Sequence, residues 1–170
     1  MQHESRKSKL AKAVIDRCLV DYSAENRLVL AQTPSKSANF KHQAAYDAVV
    51  MEFHSMGLRV SGIVEAKARW FTDEVLEEQW GGEWLLSKKK IDRCRHIAKE
   101  TCVPFFGLLA SVPMECYWFF EIADASGKIT VPIHYDQTET QQNTEGDGLK
   151  SELNAFIKIN PYEKILLEND

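Results

Sequence analysis

The chain has 170 residues, 44% of them hydrophobic, and its formal net charge is −4. This length and composition predict one soluble globular domain with a real core. No apolar run is long enough to span a bilayer and Met1–Lys7 lacks the apolar stretch of a secretory signal, so a cytoplasmic protein with no membrane partner is expected. The mild acidity excludes a uniformly basic nucleic-acid-binding chain, but the charge is uneven. Residues 1–41 hold eight Lys and Arg against four Asp and Glu, and the remainder holds thirteen against twenty-one. The tail from Asp136 onward is acidic and unsuited to a DNA surface.

Residues 5–25 read as a helix, because Leu10, Val14 and Cys18 recur at helical spacing with Ala13 beside them. At about 100° per residue, Asp21 falls on that apolar stripe and Glu25 close to it, while Asp16 points away. Gln32–Lys41 reads as a loop, with turn chemistry in Thr33-Pro34-Ser35-Lys36-Ser37. Lys36 and Lys41 there either meet phosphates or are only solvated.

Residues 46–53 and 58–70 are rich in β-branched and aromatic side chains, with His54-Ser55-Met56-Gly57 between them. The pattern predicts a β-hairpin with its tip between Ser55 and Met56. One register sets Asp47 opposite Val64. A second, with one residue of slack, sets it opposite Glu65 and pairs Val49 with Ile63 and Phe53 with Arg59. In both, Asp47 and Glu65 are neighbours, and directly opposed Cβ atoms lie about 5 Å apart. Period 2 puts Glu65 and Lys67 on one face, and Leu58, Val60, Val64, Ala66 and Ala68 on a core-facing side.

Beyond the hairpin, Thr72 is placed to cap a short helix over Asp73–Gln79, followed by a glycine joint at Trp80-Gly81-Gly82. Glu83–Glu100 reads as an amphipathic helix burying Trp84, Ser87, Ile91, Cys94 and Ala98. Lys88, Arg95 and Lys99 share another face, widened by Lys89, Lys90 and Arg93. That face either tracks a phosphate backbone or is solvated. Val103–Ser111 reads as a buried strand, reached by a crossover and so parallel to the Glu65 strand. Cys116–Ala123 and Lys128–Tyr135 read as strands joined by Ala125-Ser126-Gly127, with Trp118 in the core. Asp136–Gly148 is polar and without period, hence a loop or partly disordered, and Leu153–Leu167 suggests an edge strand and a short terminal helix. The expected fold is α/β: a mixed central sheet with a helix on each face and a hairpin carrying the site. Residues 1–135 form the core, and 136–170 an acidic loop and C-terminal extension packed on the same domain. Cys18, Cys94, Cys102 and Cys116 have no C-x-x-C spacing, and Cys94-x-His96 with Cys102 matches no standard zinc site, so buried free thiols are expected.

The chemistry lies in Asp47, Glu65 and Lys67. Asp47 shares its stripe with Val49, Met51 and Phe53, and a carboxylate on an apolar stripe needs a partner or a metal. Two carboxylates on adjacent strands converge well enough to hold Mg²⁺ or Mn²⁺, which take oxygens at about 2.1 Å in the case of Mg²⁺. Such an ion activates water and clamps a phosphoryl oxygen. A neighbouring lysine orients or deprotonates that water, or stabilises the developing charge. The plain alternative is a solvated strand face with a Glu65–Lys67 salt bridge.

An Asp on one strand, a tight turn, Glu-x-Lys on the next, then a helix and an apolar strand, resembles the PD-(D/E)XK nuclease superfamily over roughly residues 5–123. Tyr46 stands where that pattern often has proline. The resemblance implies a restriction-endonuclease-like core and a nuclease that hydrolyses DNA with Mg²⁺ or Mn²⁺. It also implies Asp47 and Glu65 as metal ligands, Lys67 as the catalytic lysine, and Asp21 or Glu25 of the first helix as a further ligand. Lys88, Lys89, Arg95, Lys99, Lys36 and Lys41 are the candidate nucleic-acid contacts, and Gln79 a weaker candidate downstream of the lysine. Small members are often dimers, which leaves a homodimer open. Two alternatives stand beside this reading: a non-catalytic nucleic-acid-binding module or subunit of the same fold, and a protein-interaction domain that touches no nucleic acid.

Overall fold

The helical spacing of Val14, Cys18 and Leu19 makes a continuous apolar stripe, and the chain opens with helix α1, Arg6–Asn26. In the computed structural model residues 6–26, 29–32, 46–141 and 149–167 are described. Strands β1 (Val29–Gln32), β2 (Ala48–His54) and β3 (Gly57–Arg69) follow α1. They form an antiparallel meander, and α1 packs across it. A π-helical turn, Val75–Gln79, leads to β4 (Glu83–Ser87), helix α2 (Lys88–Thr101) and β5 (Phe105–Ser111). Strand β5 lies parallel to β3, as a crossover of this length requires. Strands β6 (Cys116–Ala123), β7 (Ile133–Gln141), β8 (Leu149–Lys158) and β9 (Ile165–Leu166) complete the chain. The result is an α/β fold with a six-stranded mixed sheet, β1-β2-β3-β5-β6-β9, and a three-stranded antiparallel sheet, β4-β8-β7.

The large sheet is buried on both faces. Val64, Ala66 and Ala68 of β3, with Leu108 and Ala110 of β5, pack against Val14, Cys18 and Leu19 of α1. On the other face Ile63, Phe105 and Leu109 meet Ile91, Cys94 and Ala98 of α2, together with Trp84, Leu86, Ala155 and Ile157 of the small sheet. Consecutive residues of β3 point to opposite faces, so Glu65 and Lys67 project toward α2.

The hairpin combines both expected registers. Near the tip Phe53 pairs with Leu58 and His54 with Gly57, leaving Ser55-Met56 as a two-residue turn; inward, Val49 pairs with Ile63 and Ala48 with Val64. A β-bulge reconciles them. Val50 pairs with Gly62 but Met51 with Val60, so Ser61 is the extra residue. The expected Phe53–Arg59 pair is therefore absent, and Arg59 faces Glu52. Leu58 and Val60, expected in the core, are 52% and 43% exposed. The ladder of β1 reaches Met51 and that of β5 reaches Ile63, so among the described residues this outer half of the hairpin has no sheet neighbour.

Several other expectations change. Glu83–Ser87 is a strand, not the first turn of the helix: Ser87 caps α2 by accepting from the Lys90 N–H at 3.3 Å, and Trp84 and Leu86 are buried on alternate positions against β8. The partner is some seventy positions away, so local periodicity carried no sign of it. Residues Lys128–Tyr135 do not pair along β6. The turn closes with Asp124 N–H donating to the Lys128 carbonyl, but only the Ala123–Ile129 bridge follows before the chain moves to the small sheet. Asp136–Gln141, expected to be a loop, continues β7, and the expected boundary at residue 135 falls inside that strand. Strand β8 is central rather than an edge, while β9 closes the edge beyond β6. The terminal helix is one 3₁₀ turn, Pro161–Glu163. Residues 33–41 of the expected loop lie outside the described residues. Cys18, Cys94 and Cys116 are buried thiols, whereas Cys102 is exposed at the left-handed C-cap of α2. Burial pushes the Cys18 and Cys94 thiols up to about 12.

Gly107 of β5 stands beside Glu65 in the ladder, and a Cβ there would meet Trp84 Cζ3 at 2.6 Å and Ile122 Cδ1 at 2.9 Å. Both neighbours are buried and cannot retreat. Gly107→Ala is expected to destabilise the chain by about 1–3 kcal/mol, read as a lower urea midpoint at unchanged slope.

Candidate functional site

The site is assembled from the start of β2, the centre of β3 and the first turn of α2. Asp47 precedes β2, and its N–H donates to the Val64 carbonyl at 2.8 Å, extending the hairpin ladder by one bond. Its Oδ2 accepts from the Ala66 N–H at 3.0 Å, which draws the carboxylate across onto β3. Glu65 sits in the middle of the large sheet between β2 and β5, and its side chain is 1% exposed. Lys67 Nζ lies 2.7 Å from Glu65 Oε1 and 3.5 Å from Asp47 Oδ2. On the far side of Glu65, Lys90 Nζ lies 2.6 Å from Oε2. The three expected groups are thus together, with a second lysine added. The side chains of Asp47 and Lys67 are 42% and 30% exposed, so solvent reaches the cluster from their side.

The electrostatics follow from burial. Removing the Glu65 carboxylate from water raises its pKa above the ordinary carboxylate value; the Lys67 charge opposes that rise and the Asp47 charge adds to it. A buried carboxylate of this kind stays ionised only when paired, and each of its oxygens has an ammonium partner. For Lys67, burial alone would lower the pKa, but Glu65 and then Asp47 outweigh it, and the net shift is upward. In this arrangement Lys67 is therefore a firm cation at neutral pH rather than a base.

The fit to a divalent cation can be judged from the donors. Both carboxylates offer hard oxygen ligands, which suit Mg²⁺ and Mn²⁺, and a single positive group, the Lys67 ammonium, already contacts one oxygen of each. The two acids therefore converge on one point of positive charge. Among the described residues no group of three or more His, Cys, Asp or Glu side chains is placed to hold a metal, so a cation here would have two protein carboxylates as ligands and no more.

Asp21 is not brought to this cluster. It accepts from the Tyr117 hydroxyl at 2.8 Å, among the residues on the α1 face of the sheet, and β3 directs Glu65 to the opposite face. Its helical phase did place it inward, but toward the other layer. The Glu25 side chain, Lys36 and Lys41 lie outside the described residues. The basic residues of α2 divide. Lys89 and Lys99 are exposed. Lys88 pairs with Asp92 and lies over the Tyr135 ring, and Arg95 Nε donates to the Gly127 carbonyl at 2.8 Å. Gln79 ends the π-helical turn, exposed.

Sequence reasoning placed Lys90 only within a basic surface. Beginning the helix at Glu83 put it in the second turn; the Ser87 cap puts it in the first. A crossover helix starts near the C-terminal end of the strand it follows, so first-turn side chains reach the neighbourhood of Glu65 and Lys67. Ser87, a strong N-cap type, was the available signal.

No family model, curated protein or solved structure matches the chain. Among the described residues no helix is long and apolar enough to cross a membrane.

The raised pKa of Lys67 has a definite sign. Its charge stabilises the folded chain below its ordinary 10.5, and that contribution is lost as pH climbs through the higher folded value. The stability gap between the wild type and Lys67→Met is expected to be widest at neutral pH and to close above 10.5, measured by urea unfolding at stepped pH.

Proposed function

We propose that this chain is a Mg²⁺- or Mn²⁺-dependent nuclease acting on DNA phosphodiester bonds. The observation that carries the proposal is the convergence of Asp47 Oδ2 and Glu65 Oε1 on one cationic position, held by the Lys67 ammonium. Asp47 and Glu65 would hold the metal, which supplies an activated water and charge neutralisation on phosphorus when bound. Asp47 is kept in place by the Ala66 N–H, and Glu65 by the sheet around it. Lys67 stabilises the negative charge that develops on the phosphoryl oxygens. Arg69, two residues further along the same face of β3, is exposed, donates to the Ala68 carbonyl and, though in the field of Glu65, makes no salt bridge among the described residues, so it can bind an adjacent phosphate. Exposed Lys89 and Lys99 extend the positive surface along α2.

Support for a restriction-endonuclease-like core comes from the order of elements. A helix precedes three antiparallel strands, and the strand after the next long helix pairs in parallel with the third. The expected Asp falls one residue before the second strand and the Glu-x-Lys in the second half of the third.

A second reading keeps the fold and the nucleic acid but not the cleavage. It is favoured by the 1% exposure of Glu65 and its two ion pairs, which would serve as a structural lock. The two readings diverge in a single assay. Supercoiled plasmid and single-stranded DNA are incubated with the protein and Mg²⁺ or Mn²⁺. The nuclease reading expects cleavage that stops with chelator and falls at least about 100-fold in Asp47→Asn, Glu65→Gln and Lys67→Met. DNA binding without cleavage under either ion establishes the second reading.

A further inference from the structure

The two lysines on Glu65 are not equivalent. Lys67 lies between both carboxylates, whereas among the described residues Lys90 pairs with one carboxylate oxygen, Glu65 Oε2. Lys67 is on the solvent-reached side with Asp47, and its flexible stem lets the ammonium swing while the strand stays fixed. Glu65 has no such freedom at 1% exposure. Both ammonium groups are partly exposed, Lys67 at 30% and Lys90 at 23%, but the position that both acids share is the one Lys67 occupies, so a cation bound by both acids takes its place.

The geometry points to a division of labour, resting on the metal-dependent reading above: Lys67 is a placeholder cation that yields its position to the divalent ion, and Lys90 is a positioning residue that stays on Glu65 Oε2. With Lys67 in place, the carboxylates are neutralised and the sheet tolerates their burial. When Lys67 swings out, its ammonium moves toward the open side, where a phosphodiester would lie. Lys90 meanwhile keeps one oxygen of Glu65 engaged, so that Oε1 alone faces the ion. The capping of α2 by Ser87 fixes the backbone from which Lys90 reaches. No bond is made or broken in this exchange; one cation replaces another.

The test is a titration of the full chain with MgCl₂, followed by the side-chain ammonium and ε-methylene NMR signals of lysine, assigned with Lys67→Met and Lys90→Met. The expected result is a saturable shift of the Lys67 signals, with those of Lys90 unmoved. Calorimetry on Lys67→Met is expected to show Mg²⁺ bound roughly tenfold more tightly, because a competing charge is gone, while Lys67→Arg keeps that charge and binds as the wild type does. Circular dichroism confirms that each variant is folded. A moving Lys90 signal, or a Lys67→Met variant that binds no more tightly, overturns the division of labour while leaving the metal site standing. A wild-type chain in which the Asp47 and Glu65 carboxyl signals do not respond to Mg²⁺ overturns the metal-dependent reading, and this inference falls with it.

Discussion

A carboxylate in the middle of a sheet is the constraint around which this fold is arranged. Glu65 is 1% exposed and flanked by strands on both sides. Leaving such a charge unpaired would cost several kcal/mol, a large part of a domain's stability. Two elements answer that cost. The same strand contributes Lys67, and the crossover helix contributes Lys90. The helix must therefore start in the right place, which makes the Ser87 cap and the β4 strand before it part of the same solution. Gly107, beside Glu65 in the ladder, lacks the side chain that would push Trp84 away from the buried face.

The same arrangement gives the site its chemical direction. Glu65 is held from behind by Lys90 and from the front by Lys67, and Asp47 is drawn in by a backbone N–H of β3. A charge set in this way is preorganised: the carboxylates point at a common position before any ligand arrives. Preorganisation of this kind is the largest usual source of transition-state stabilisation in enzymes. It is equally suited to a static structural lock, and what differs between the two is whether Lys67 can leave. Of the two ammonium groups on Glu65, Lys67 is the one that also faces Asp47, and it is 30% exposed against 23% for Lys90.

Legibility in the sequence followed the range of the interactions. The hairpin turn at Ser55-Met56, the β3–β5 parallel pairing and the inward face of α1 were readable because each depends on local turn chemistry or short-range periodicity. Asp47, Glu65 and Lys67 were readable as a set because one hairpin carries them all. The small sheet was not. Strand β4 finds its partner in β8, far along the chain, and Trp84 read as the start of a helical stripe with Ser87, Ile91, Cys94 and Ala98, which left Leu86, about 200° away on a helix, unaccounted for. Strand β7 is polar at most positions because much of it is exposed, so it showed no alternation. Lys90 was hidden by the same error, since its role depends on where the helix begins. Asp21 shows the converse: periodicity said correctly that it faces the sheet, but not which layer of side chains lies there, and Tyr117 is its partner.

The bulge at Ser61 has a mechanical meaning. Beyond it the paired ribbon has no strand neighbour among the described residues and ends in Phe53, Met56 and Leu58, which are 70%, 99% and 52% exposed. Short of it the same two strands are clamped in the sheet and carry the acidic pair. A bulge bends its strand and raises the local twist, so Ser61 turns the outer arm away from the line of the clamped strands. The acidic pair and the apolar tip therefore lie on opposite sides of one kink in a single ribbon.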